Sequence, residues 1–261
     1  MSEHRKLDFD HQPSEIKGKI QNYWTKRAES FFELRHEEIE SNKAARWLNE
    51  IKKYIPQDKK IKILDIGCGT AFFEIILGRE GHEITGIDLT EEMVIKANQM
   101  ISIYGLNTRK VKAIQMDAES LDFENNAFDM IVTRNLTWTL PHPIRAYQEW
   151  NRVLKSGGIL LNFDAEYAKN ANKNLYSPDN LAHQGVGNDM KDECYHIYQM
   201  LTISTLKRPL WDVEVLKTNG YADIEYDLDF GDRIYIERDQ FYMLDKMFSI
   251  KAIKRSMGSL C

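Results

Sequence analysis

The chain has 261 residues, with 35 Lys and Arg against 40 Asp and Glu and a formal net charge of -5. With 43% hydrophobic and 29% charged residues, it falls in the ordinary folded class, outside the disordered and fibrous ones, and can form one large α/β domain or a domain with an inserted lid. The acidic balance argues against extensive nucleic-acid contact, which needs a basic face.

No apolar run approaches the length of a membrane helix, and the opening Met-Ser-Glu-His-Arg-Lys lacks a signal-peptide core. Cys68, Cys194 and Cys261 are far apart with no Cys-x-x-Cys pair, which fits a reducing, cytoplasmic setting.

Residues 1–12 are polar and expected to be loosely held. A helical pattern follows over Ser14 to Leu34, with Ile16, Ile20, Tyr23, Trp24, Ala28, Phe31 and Phe32 on one side. A second helix is predicted over Glu37 to Tyr54, carrying Ile39, Ala44, Trp47, Leu48 and Ile51, with Pro56 marking its end. Strand and helix then alternate. Strand 61–66 runs into a turn with Gly67 and Gly69 and a helix over 70–80, with Gly81 as C-terminal cap. Strand 83–88 leads to Thr90 as N-cap, with Glu91 and Glu92 opening a helix over 91–104. Strands at 111–116 and 128–133 precede a helix over 143–154, closed by Ser156-Gly157-Gly158, and a strand over 159–164. Residues 165–207, rich in Asn, Asp, Lys and Tyr, read as an insertion that covers the site. Pro209 opens a last helix ending at Asn219-Gly220, and strands follow at 222–229 and 247–254.

Such β-α repetition implies a doubly wound parallel sheet with ligands at the carboxyl ends of its strands. Glycines at 67 and 69 let the backbone approach a ligand, and Asp88 stands nineteen residues beyond Gly69, where a Rossmann-type site holds the ribose hydroxyls. A dinucleotide turn would want a third glycine where Phe72 stands. Asp65 at the mouth of the turn would repel a pyrophosphate but suits an ammonium and a sulfonium. The residues therefore favour a cationic adenosine derivative.

Leu64-Asp-Ile-Gly-Cys-Gly-Thr70 resembles the first motif of the class I S-adenosylmethionine-dependent methyltransferases, and Gly86-Ile-Asp88-Leu89 their ribose-binding acid. Gln115-Met-Asp117-Ala118 is similar to the motif whose acid contacts the adenine amino group. Phe128-Asp-Met-Ile-Val-Thr-Arg134-Asn135 and Glu149-Trp-Asn-Arg-Val-Leu-Lys-Ser-Gly-Gly158 resemble the two that follow. Ala71 departs from the glycine found in many members, and Tyr23-Trp24-x-x-Arg27-Ala28 resembles a lead helix that closes over the cofactor.

The resemblance implies an α/β, Rossmann-like, seven-stranded, mostly parallel sheet with an antiparallel last strand at 247–254. It divides the chain into an N-terminal helical lid (1–45), a cofactor-binding core (46–164), an inserted acceptor-side lid (165–207) and a C-terminal part of the core (208–261). It implies S-adenosylmethionine as methyl donor and S-adenosylhomocysteine as product. Contacts are expected from Tyr23, Arg27, Asp65, Gly67, Cys68, Gly69, Asp88, Leu89, Met93, Asp117, Ala118, Arg134, Asn135 and Leu136. For Tyr23 and Arg27, contact with cofactor or substrate weighs evenly against simple helix packing and a surface salt bridge.

Methyl transfer from a sulfonium needs alignment and desolvation, with a general base where the acceptor carries a proton. His142, Asp164 and Tyr167 are the candidates. Trp138 and His142 read equally as pocket residues or loop anchors, and Arg208 reads as a helix-start salt bridge more readily than a substrate contact. His183, Asp189, Asp192, Cys194 and His196 match no metal-ligand spacing and read as part of a solvated lid. Asn135-Leu-Thr-Trp138 stands where enzymes acting on base or glutamine amino groups carry Asn/Asp-Pro-Pro-Tyr, which disfavours DNA and many RNA substrates. The expectation is methyl transfer to a small molecule by in-line displacement. A macromolecular acceptor, a non-catalytic cofactor-binding protein and a nicotinamide-dependent dehydrogenase are the competing readings.

Overall fold

The computed structural model describes residues 13–256. The expectations for residues 1–12 and for Cys261 lie outside that range.

Two helices, α1 (Pro13–Ile39) and α2 (Asn42–Lys52), precede the sheet. The first runs five residues beyond Leu34, and its break comes at Ser41. The Ser41 hydroxyl donates to the Glu38 carbonyl at 2.7 Å and accepts from the Lys43 N–H at 3.2 Å, which caps α2. The expected lid boundary at residue 45 thus falls inside α2.

The sheet follows in alternation with helices: β1 (Lys62–Ile66), α3 (Phe72–Gly78), β2 (Glu83–Asp88), α4 (Glu91–Ile103), β3 (Val111–Gln115), β4 (Phe128–Arg134), α5 (Pro143–Val153) and β5 (Leu154–Asp164). The strand order is β3-β2-β1-β4-β5-β7-β6, where β6 is Tyr221–Asp227 and β7 is Phe248–Lys254. Strands β1 to β5 pair in parallel, and β7 runs antiparallel to both β5 and β6. This is the seven-stranded sheet with an antiparallel last strand that the sequence implies.

The near-continuous apolar runs of the strands arise because both sheet faces are covered. Ile63, Met130, Val132 and Phe163 face α2, α3 and α4, where Trp47 meets Phe163 edge-on at 4.9 Å and Phe73 at 5.4 Å. Leu64, Ile66, Ile131 and Leu160 face α5 and α8 (Leu210–Thr218), packing against Tyr147, Trp150 and Leu216.

Three local expectations need correction. Thr90 precedes α4, but its hydroxyl makes no capping bond; the Asp88 carboxylate instead accepts the Thr90 N–H at 2.9 Å. Ser156-Gly157-Gly158 does not separate helix from strand. It forms an irregularity inside β5, where pairing jumps from Phe128–Leu154 to Met130–Ile159 and Gly157 takes φ +73°. The insertion is not irregular throughout. After a short α6 (Ala171–Asn174) comes α7 (Asn188–Met200), a thirteen-residue helix that buries Cys194, Ile197 and Tyr198 in a third apolar cluster with Ile16, Ile20 and Tyr23 of α1. A short α9 (Phe230–Ile234) before β7 also went unread.

Gly86 on β2 is fixed by its neighbour. A Cβ there would lie 2.1 Å from Glu74 Oε1 and 2.8 Å from Cys68 Cβ, and Glu74 is fully buried and cannot swing away. Gly86→Ala is expected to lower unfolding stability by about 1–3 kcal/mol. Chemical denaturation checks this; an unchanged midpoint and slope would refute the packing.

Candidate active site

A cavity opens at the carboxyl ends of β1, β2 and β4, roofed by α1 and by the 165–207 segment. At one end the glycine turn is stitched to β2. The Ile87 carbonyl accepts the N–H of Gly67 at 2.8 Å and of Cys68 at 2.9 Å. The Asp88 carboxylate accepts the N–H of Gly69 at 3.1 Å through one oxygen and that of Thr90 through the other. Gly67, Gly69 and Ala71 all have positive φ, at +74°, +53° and +74°. A side chain on Gly67 would strike Leu136, with Cδ1 2.9 Å from the Cβ position. One on Gly69 would strike Phe31 of α1, whose Cε1 lies 2.9 Å away. The first helix therefore lies directly on the turn.

Acids and bases are distributed unevenly around this end. Asp65 lines the cavity yet is only 2% exposed, and burial pushes its carboxyl up to about 8. Burial holds Glu74 well above the usual carboxyl range, and the charge of Asp65 adds to it, so the pair keeps protons at neutral pH. Burial also raises Asp88, against the backbone N–H groups that favour its ionised form. Asp117 receives Lys17 Nζ at 2.6 Å, and Glu119 receives the same ammonium at 2.5 Å. Gln21 Nε2 donates to the Leu89 carbonyl at 3.0 Å, so a second α1 side chain reaches the end of β2.

Arg134 donates through Nη2 to both Glu38 oxygens, at 2.9 and 3.0 Å, and to the Tyr235 hydroxyl at 2.6 Å. Arg35 pairs with the same Glu38, so two buried guanidinium groups share one carboxylate. Arg134 lies over Trp47 and Phe72 at 4.7 and 4.8 Å, and its Nε and Nη1 are buried with no hydrogen-bond partner. A cation faces the cavity with unused donors.

All fourteen residues expected to contact the cofactor line this cavity. The three candidate bases separate. Tyr167 lines it, donating its hydroxyl to Asn135 Oδ1 at 2.6 Å, and burial raises its phenol well above the usual value, so it stays protonated. Asp164 does not belong to the lining. It is fully buried, accepts Arg208 Nη1 at 2.7 Å and the N–H of Trp138 at 3.0 Å, and is committed to structure. His142 also stands outside, with a half-exposed side chain, before the first turn of α5; its ring Nδ1 lies 3.1 Å from Glu119 Oε2. Neither is positioned to take a proton from a bound molecule.

Arg208 is likewise occupied, bridging Asp164 and, at 2.8 Å through Nη2, Asp212. The solvated-lid reading holds for Asp189, Asp192 and His196, which are exposed. It fails for His183 and Cys194, which line the cavity with Tyr198. Sequence reasoning missed Lys17 and Tyr198 entirely. The only signal for α7 was the spacing of Cys194, Ile197 and Tyr198, diluted by the charged residues between them.

Residues 64–162 match the family model described as a methyltransferase domain. The demethylmenaquinone methyltransferase of Staphylococcus aureus is 32% identical over 118 residues, covering 44% of this chain and 47% of that protein. The chain thus matches about half the length of that curated relative. Among solved structures, phosphoethanolamine N-methyltransferase 2 of Haemonchus contortus, in complex with S-adenosyl-L-methionine, superposes with a TM-score of 0.56 at 19% identity, covering 80% of this chain and 52% of that one. The PH0226 protein of Pyrococcus horikoshii superposes with a TM-score of 0.56 at 17% identity, covering 84% and 91%. The last two likenesses show the fold. Sheet order and the match over residues 64–162 together show a Rossmann-like fold whose central part is similar to a methyltransferase domain.

The Asp65–Glu74 pair gives a pH-dependent stability. Asp65 titrates near 8 in the folded chain against 3.8 for the ordinary group. Between those values the unfolded chain has lost a proton that the folded chain keeps, so this contribution is full below about 4 and is lost as pH rises toward 8. In cofactor-free protein, the stability of the wild type relative to Asp65→Asn is expected to fall steadily over that window in denaturant titrations. A pH-independent difference would show that Asp65 ionises normally.

Proposed function

We propose that this chain transfers the methyl group of S-adenosylmethionine to a small-molecule acceptor, releasing S-adenosylhomocysteine. The observation that carries the reading is Asp88. Its carboxylate ends β2 on the cavity wall, already oriented by the Gly69 and Thr90 N–H groups, with lone pairs left for a ribose diol. The residues present fit the rest of the donor. Leu89, Met93 and the Asp117–Ala118 edge would hold the adenine. Asp65 would take the ammonium, and the unused donors of Arg134 would take the carboxylate.

When bound, the donor supplies an electrophilic methyl on a sulfonium. The protein aligns an acceptor behind that methyl and excludes water, with Tyr23, Trp24 and Phe31 of α1 as the roof. Tyr167, a neutral phenol bonded to Asn135, orients groups at the transfer point and does not serve as a ready base. The α1 helix and residues 165–207 act as the two lids over a core formed by 46–164 and 208–256. The enclosure of the cavity between them supports a small acceptor. The family match ends at residue 162 and so leaves the acceptor side unassigned.

Calorimetric titration with S-adenosylmethionine and S-adenosylhomocysteine tests the donor. Asp88→Ala is expected to weaken both by about ten- to a hundredfold, the cost of charged hydrogen bonds to the ribose. Equal affinity in the variant, or no heat with the wild type, would defeat the assignment. Methyl label appearing in protein or nucleic acid and not in a metabolite extract would defeat the small-molecule acceptor.

A further inference from the structure

Two arginines bring unused donors to the cavity, and the proposed donor molecule has one carboxylate. Arg134 belongs to the turn. It ends β4, packs on Phe72 at the start of α3, and its charge acts on Asp65. Arg27 belongs to the roof. Its charge acts on Tyr23 of α1, on His183 and on Cys194 of α7, and its Nε and Nη1 are buried with no hydrogen-bond partner. Glu193 of α7, which also acts on Tyr23 and Cys194, is engaged by Lys26 at 2.9 Å. Among the described residues no ion pair to Arg27 is formed.

The same end holds further unsatisfied polar atoms. Trp138 Nε1 and His183 Nδ1 are both buried without a partner, and both residues line the cavity. Around them the wall is aromatic, with Trp138 and Tyr198 at 4.8 Å between ring centres. Leaving buried donors unsatisfied costs on the order of 1–3 kcal/mol each, more for a charged group. A cluster of four such atoms around one cavity end is therefore the imprint of a ligand.

Resting on the methyltransferase reading, we propose that this end receives the methyl acceptor, and that the acceptor is an aromatic or apolar molecule bearing a single carboxylate held by Arg27. A carboxylate meets a guanidinium side-on through Nε and Nη2, and of that fork the Arg27 Nε is buried without a partner, with Nη1 a further unpartnered donor on the other side. Trp138 Nε1 supplies a third donor, and the rings of Tyr23, Trp138 and Tyr198 enclose the body. Burial lowers the His183 ring to about 4, leaving it neutral, and burial raises the Cys194 thiol and the Tyr198 phenol, leaving them neutral too. Lys191 also acts on His183, and Arg27 is the cation at this end with buried, unpartnered donors.

The test uses the full chain with S-adenosylhomocysteine bound, titrated calorimetrically with benzoate, phenylacetate and indole-3-acetate and with their amides. At least one acid is expected to bind saturably and at least tenfold more tightly than its amide. Arg27→Met, which keeps the aliphatic stem, is expected to abolish that preference while changing S-adenosylhomocysteine affinity less than threefold; Arg27→Lys restores part of it. Arg134→Met is expected to do the reverse, weakening S-adenosylhomocysteine at least tenfold. Unchanged circular dichroism and melting temperature show that each variant is folded. Loss of S-adenosylhomocysteine binding in Arg27→Met comparable to that in Arg134→Met would make Arg27 a cofactor residue and overturn the proposal. So would intact S-adenosylhomocysteine binding with no preference for any acid. Failure of the wild type to bind S-adenosylhomocysteine at all would overturn the methyltransferase reading itself, a separate result.

Discussion

Two peptide N–H groups and one carbonyl hold the centre of this molecule. Gly67 and Cys68 both donate to the Ile87 carbonyl, so the turn after β1 is tied to the last residues of β2 before any ligand is considered. Three residues of positive φ are concentrated in that turn, one of them an alanine, which carries the strain of a left-handed backbone without glycine's freedom. The tie holds them in place. Because the turn is fixed, Asp88 faces the cavity, α3 begins at Phe72, and Phe31 finds a flat surface on which α1 can rest. The roof, the start of α3 and Asp88 are all registered against one short stretch of backbone.

The sheet was legible in the sequence because its signals are local and redundant. β1 is an apolar run leading into Gly67, β2 and β5 end in Asp88 and Asp164, and the order of motifs fixes how the strands follow one another. The glycine turn and Asp88 could be read for the same reason, as position along a strand determines where a side chain emerges. Helix limits were harder. The break between α1 and α2 depends on Ser41 capping its own turn, while the apolar pattern runs past it. At β5, glycines that normally announce a turn were absorbed into a bulged strand.

The candidate bases illustrate the other limit. Asp164 ends β5 and His142 precedes α5, at strand and loop ends where catalytic side chains often stand, but partners distant in sequence decide their fate. Arg208 takes the first and Glu119 the second. His183 and Cys194 went the opposite way. In a polar, irregular stretch they read as solvated, yet α7 packs on α1 and turns them inward. Hydropathy along one helix cannot report a contact made by another. Burial then changes what such groups can do, since a neutral imidazole and a protonated thiol shape a pocket instead of ionising within it.

The insertion also has an unusual pair of ends. It begins immediately after Asp164 and finishes immediately before Arg208, and those two residues are joined by a buried 2.7 Å ion pair, with Asp212 securing the guanidinium from the far side. Entry and exit of the segment are thus fastened together at the sheet. The length and sequence between them can change without moving β5 or α8, because the closure cost of a longer loop grows only slowly once its ends are held. In effect the sheet carries a socket. Segments of different composition can be mounted there, so one wall of the cavity can diversify while the glycine turn and Asp88 stay constant.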